Sequence, residues 1–202
     1  MTPRMAPSAD PGSVAICCRI LGALFYLPPT TASTQPFFDL VRQGLLPQSW
    51  PFGTADELDS VQRLMAQGLD ERHLADAYGR LFIGPDHLEA PPWGSVYLTE
   101  DGTLYGDSTL ALRAFLDTEG IVLDWRINEP EDHIGLLFWA IAWLAEHQRD
   151  DALATLLDDH LRPWASTYLA QLESVASHPF YAGLARLAAL TLQALPATSA
   201  PG

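Results

Sequence analysis

The densest chemistry in this chain lies at residues 129–133, where Glu129-Pro130-Glu131-Asp132-His133 sets three carboxylates and one imidazole side by side. Side chains of these types can move protons, ligate a metal, cap a helix or accept a cationic group. Glu129 and His133 stand four apart, so on a helix they would share a face and could pair or hold a metal. A zinc site needs a third protein ligand, and neither HExxH nor CxxC occurs; the other histidines, at 73, 87, 147, 160 and 178, are scattered. A nucleophilic enzyme has no better support, because Ser95 lacks the GxSxG elbow. Acid–base catalysis by Asp132 and His133 is the remaining enzymatic reading. The plainer alternative is a helix start. Proline suits the first helical position, which makes Glu129 the N-cap, puts Glu131 on the surface and makes Asp132 the third residue, with carboxylates at the positive end of the helix. That account leaves His133 without a role.

A second dense feature is the segment YGRLFIGPDHLEAPPWGS, in which an apolar helix end runs into a proline-rich loop carrying Trp93. Such an aromatic wall can be ordinary core. The connection is nonetheless long and irregular, from residue 84 to 106, and long ordered loops often bind something. Its Asp101-Gly102 pair, flanked by VYL and TLY, is a hairpin signal, so a short two-stranded ribbon is an alternative there.

The elements that must position these residues read as helices almost throughout. Val14, Cys17, Leu21, Leu24 and Phe25 recur at helical spacing after Ser13, a plausible cap, and Pro28-Pro29 ends the run. A short helix over 35–43 stops at Gly44. Thr54 and Glu57 form a capping-box pattern ahead of Leu58, Val61, Leu64 and Met65, and Gly68 closes or bends that helix. Leu74, Tyr78, Leu81 and Phe82 share the face of another helix, which Gly84-Pro85 breaks. Asp107 and Ser108 can cap a helix that runs to Gly120. After the opening knot comes the apolar run IGLLFWAIAWLAE. It is followed by DDALATLLDDHL, a segment from Pro163 through Tyr168 and Leu172, and a last helix entered at His178-Pro179. The expected fold is all-α: a single helical domain over residues 13–195, of roughly eight or more helices with one long irregular loop, between disordered tails at 1–12 and 196–202.

With 202 residues, 48% of them hydrophobic, the chain can bury one substantial core. Its formal charge of −14 comes from 25 acids against 11 arginines and no lysine, so its field repels nucleic acid and anionic lipid and favours a basic partner. Lacking lysine, it has no Schiff-base chemistry and no P-loop lysine; no GxxxxGK or GxGxxG occurs. Cys17 and Cys18 are adjacent within an apolar helical run, which disfavours a disulfide and suits reduced, packed thiols in a cytoplasmic protein. That run is interrupted by Arg19 and is too short to span a bilayer.

Taken together and in order, YGRLFIGPDHLEAPPWGSVYL, LYGDSTLALRAFL and NEPEDHIGLLFWAIAWLAE, with HPFYAGLARLAALTL near the end, resemble the TorD/DmsD family of chaperones for molybdenum-containing oxidoreductases, closest to its DMSO-reductase-chaperone branch. The resemblance covers roughly residues 13 to 195. It implies an all-helical cytoplasmic protein without enzymatic activity or cofactor. Such a protein binds the twin-arginine leader of its client, assists maturation before export, and deals with Tat translocase components. Carried over position by position, the family's leader pocket falls on Tyr78, Leu81, Phe82, Pro92, Trp93, Gly106, Glu129, Pro130, Asp132 and His133. Some relatives carry an aromatic residue where this chain has Asp86-His87. The chemistry is compatible with this: carboxylates accept guanidinium forks in bidentate pairs, an aromatic and aliphatic groove takes an apolar segment, and Trp93 can stack on an arginine. A neutral His133 would orient a neighbouring carboxylate or carbonyl, and its protonation would repel the leader between pH 5.5 and 8.

Overall fold

Asp10 and Pro11 open the first helix: the proline occupies the first turn, where its missing N–H costs nothing, and the Asp10 carboxylate accepts the Ser13 amide, so Asp10 rather than Ser13 is the cap. A computed structural model of the chain describes residues 10–69, 71–84, 87–99, 104, 106–122 and 130–196. In chain order the helices are α1 (Pro11–Tyr26), α2 (Gln35–Arg42), α3 (Leu46–Ser49), α4 (Ala55–Gln67), α5 (Glu71–Tyr78), α6 (Gly94–Leu98), α7 (Asp107–Glu119), α8 (Ile134–Glu146), α9 (Asp150–Thr155), α10 (Arg162–Val175) and α11 (Pro179–Ala194). Two wider π turns extend this set, Gly79–Ile83 after α5 and Leu156–Leu161 between α9 and α10. Among the described residues no strand forms, and no helix is long and apolar enough to cross a membrane.

The capping box at the start of α4 is present in both directions, Thr54 with Glu57, and Gly120 ends α7 in a left-handed conformation. The loop after α5 departs from the sequence expectation. Val96, Tyr97 and Leu98, one flank of the expected hairpin, lie in the short helix α6, packed on α10, and the Asp101-Gly102 tip lies outside the described residues. Burial against α10 decides this conformation where local β propensity would not.

The centre of the fold is α8. From Ile134 to Ala145 only Trp139 and Trp143 reach partway to the surface, as expected of a helix apolar on all sides. Each leucine or isoleucine buried there contributes roughly 1.5–3 kcal/mol. Helix α1 runs along it in the most extensive helix pairing among the described residues. Two glycines set that closeness: a Cβ on Gly22 would sit 2.8 Å from the Gly135 carbonyl oxygen and would overlap the Trp139 ring. Helices α4, α10 and α11 close the far side. Cys17 and Cys18 are buried free thiols in α1, and burial pushes the Cys17 pKa up to about 12, which leaves it unreactive.

Candidate functional site

Helix α8 begins at Ile134, four residues later than a Glu129 cap would place it, and its cap is His133, whose Nδ1 accepts the Gly135 N–H at 3.0 Å. Glu129 itself lies outside the described residues. The residues before His133 form a turn, closed by the His133 N–H donating to the Pro130 carbonyl at 3.2 Å. The carboxylates expected at the helix start are drawn elsewhere by partners far away in sequence. Glu131, expected on the surface, is buried and gripped by both ends of the Arg113 guanidinium on α7, at 2.7 and 3.0 Å. Burial opposes the Glu131 charge, yet the Arg113 hydrogen bonds and its charge carry the Glu131 pKa below the ordinary value. Asp132, also buried, accepts the Ser95 amide at 2.5 Å and the Thr109 hydroxyl at 3.4 Å, both on Oδ2.

This turn is stitched to the proline-rich loop. The Ile134 N–H donates to the Pro92 carbonyl at 2.9 Å and the Gly94 N–H to the Asp132 carbonyl at 3.1 Å, an antiparallel bridge that pairs Trp93 with His133. His133 is extended where the turn ends, and its ring and the Asp132 carboxylate have separate surroundings. On one side the His133 ring meets Trp93 edge to face at 6.0 Å and Tyr26 at 5.2 Å, and Tyr26 continues to Trp139 at 5.3 Å. Burial holds the His133 pKa down to about 3, so the ring stays neutral between pH 5.5 and 8. Burial and the Nδ1 cap bond both favour the neutral ring, against the pH switch expected of it, and the geometry shows His133 as the cap of α8.

On the other side Asp132 opens into a cleft of 310 Å³ bordered by α6, α7 and the π turn before α10. Burial raises the Asp132 pKa above the usual carboxylate value, against its hydrogen bonds from Ser95 and Thr109. Trp93 does not line this cleft.

The sequence-derived site residues thus fall into three groups. Pro92, Trp93, Pro130, Asp132 and His133 come together in the stitched turn. Tyr78 and Phe82 pack into the aromatic core beneath, 5.1 Å from each other, with Phe82 against Phe25 and Tyr181; the Tyr78 hydroxyl donates to the Tyr26 carbonyl at 2.8 Å. Leu81 is half-buried on the π turn, and Gly106 caps α7. His87 is exposed, while Asp86 lies outside the described residues. Sequence reasoning missed Tyr26, Trp139 and Arg113, and weighed Ser95 only as a nucleophile; their partners lie too far along the chain for any spacing rule. Among the described residues no group of three His, Cys, Asp or Glu side chains is placed to hold a metal.

Residues 50–170 match the family model described as the nitrate reductase delta subunit. The chain is also 44% identical to the Tat proofreading chaperone DmsD of Salmonella paratyphi A over 178 residues, 88% of this chain and 86% of that one. It belongs to the TorD/DmsD family. Within that family it is also 34% identical to chaperone protein YcdY of Escherichia coli, over 86% of this chain and 88% of that one. The fold is shared with a chain from Archaeoglobus fulgidus solved as a candidate redox enzyme maturation protein. The TM-score is 0.57 at 17% identity, with 94% of this chain and 96% of that chain covered.

Proposed function

We propose that this protein is a cytoplasmic chaperone that binds the twin-arginine leader of a molybdenum-containing oxidoreductase of the DMSO reductase type. It assists maturation of that client before Tat export, with Tat translocase components as further partners. The observation that carries this reading is the 44% identity to a Tat proofreading chaperone across 88% of the chain. The site is compatible with it in physical terms. The leader joins guanidinium groups to an apolar segment, and the stitched turn offers an acidic side at Asp132 and a half-buried aromatic side at Tyr26, Trp93 and Trp139. The Tyr78 hydroxyl holds the Tyr26 backbone from beneath, with Phe82 packed on Tyr78, and Leu81, Pro92, Gly106 and Pro130 are assigned to the same leader site. Glu129 is assigned as a further acceptor beside the turn. Acid–base catalysis by Asp132 and His133 loses its base, because His133 Nδ1 is committed to the helix cap and its burial opposes protonation.

The test is co-purification with a precursor carrying its leader, which should be lost when the leader is deleted. In calorimetry with the leader peptide, Trp93→Ala and Asp132→Ala should each weaken binding by about 1–3 kcal/mol while the circular dichroism spectrum is retained. A precursor that still co-purifies without its leader refutes the reading.

A further inference from the structure

Three polar atoms at one place in this protein are buried without a hydrogen-bond partner: Asp132 Oδ1, Ser95 Oγ and Ser108 Oγ. All three residues line the cleft between α6, α7 and the π turn before α10. Asp132 and Ser95 are 4% and 0% exposed, so these atoms are hidden from bulk water as well as unpaired. An orphaned buried acceptor costs roughly 1–3 kcal/mol, more for a charged one, so a cleft that collects them is one that a ligand completes. The lining is acidic on balance. Asp132 lies within and the exposed Asp159 at the border, with no arginine among the lining residues. Leu98 and Leu112 supply apolar wall, and the Trp164 ring borders the space, its own N–H already spent on the His160 carbonyl at 2.8 Å. A divalent metal ion fits poorly, because Asp132 is the one buried carboxylate and the others are hydroxyls.

We propose that this cleft is the subsite for a single guanidinium side chain. Asp132 Oδ1 takes its charge-assisted hydrogen bond, the Ser95 and Ser108 hydroxyls accept its remaining N–H donors, and its aliphatic stem lies along Leu98 and Leu112. Several N–H donors in a flat fork match several acceptors around one small space, and the delocalised charge tolerates the Trp164 ring; a compact ammonium matches neither feature. The assignment rests on the leader-binding reading for its source of arginine. It extends that reading by assigning one arginine to the side of the turn away from Trp93 and by naming its partners on α6, α7 and the segment before α10.

Two measurements on the full chain test it. In nuclear magnetic resonance, N-acetyl-arginine methylamide should shift the indole N–H of Trp164, assigned through Trp164→Phe, and the lysine analogue should shift it at least tenfold less at equal concentration. In calorimetry, replacing one leader arginine by citrulline should cost the wild type tenfold or more. Asp132→Asn, which turns the orphaned acceptor into a donor without changing shape, should remove that discrimination. Ala111→Phe, at an exposed position on the cleft's rim, should lower leader affinity tenfold while touching none of the polar groups. Equal response to arginine and lysine probes, or leader affinity unchanged in both variants, overturns the subsite and leaves leader binding standing. A response to the arginine probe with no leader binding by the wild type overturns the functional reading and leaves the subsite standing.

Discussion

His133→Asn separates two things the histidine does at once. The Oδ1 of an asparagine lies where the imidazole Nδ1 lies, so the replacement keeps an acceptor for the Gly135 amide, and asparagine is among the preferred N-caps. What it removes is the titratable ring. In the folded protein that ring titrates at about 3, held down by burial, against 6.5 for an ordinary histidine. Between those values the unfolded chain binds a proton that the folded chain refuses, so stability drops as pH falls below 6.5 and the loss ends near 3. The full slope is about 1.4 kcal/mol per pH unit, and integration from pH 7 to pH 5 gives about 2 kcal/mol lost through this one side chain. The raised Asp132 pKa acts with the opposite sign, since a carboxyl that protonates more readily when folded gains stability on acidification. That contribution is common to both proteins and cancels in their difference. Urea unfolding of wild type and His133→Asn at pH 7, 6 and 5 measures the outcome. The stability of the wild type relative to the variant should fall by about 2 kcal/mol from pH 7 to 5. Parallel pH profiles would refute the argument, and with it the claim that the ring is neutral, buried and purely a cap.

Three further outcomes follow from the geometry. Gly22→Ala should destabilise the fold by roughly 1–3 kcal/mol, read as a lower Tm, because its methyl group meets the backbone carbonyl of Gly135, which cannot rotate away. Arg113→Ala should cost about 1–2 kcal/mol by leaving Glu131 buried and alone, a value kept modest by the half-exposed arginine; adding Glu131→Gln should restore part of it in a double-mutant cycle. Leader affinity should fall as salt is raised, since part of the attraction to a chain of charge −14 acts at long range.

The helical frame was legible wherever local chemistry decides it. The Thr54–Glu57 box, the stop near Gly44 and the entry at His178-Pro179 are each settled within a few residues. The site was legible only in part, for a physical reason. Trp93 and Asp132 stood out by type, but the side of the turn each would face depends on a backbone bridge between segments some forty residues apart. The start of α8 was misplaced on the same account. Nothing near Glu131 or Asp132 in sequence announces that Arg113 and Ser95 will claim their oxygens and leave an imidazole to do the capping. Helix α6 reads as a strand because Val96 and Tyr97 favour one, and it is helical because α10 covers it.

The two backbone bonds that tie Pro92 and Gly94 to the head of α8 bear on how a peptide would be received. Freeing the loop would uncover the first turn of the most enclosed helix, so the Gly94 and Ile134 amides should exchange with solvent only when the whole molecule opens. A visiting segment would then meet a mould that is already cast, and the ordering entropy of the encounter would fall almost wholly on the visitor.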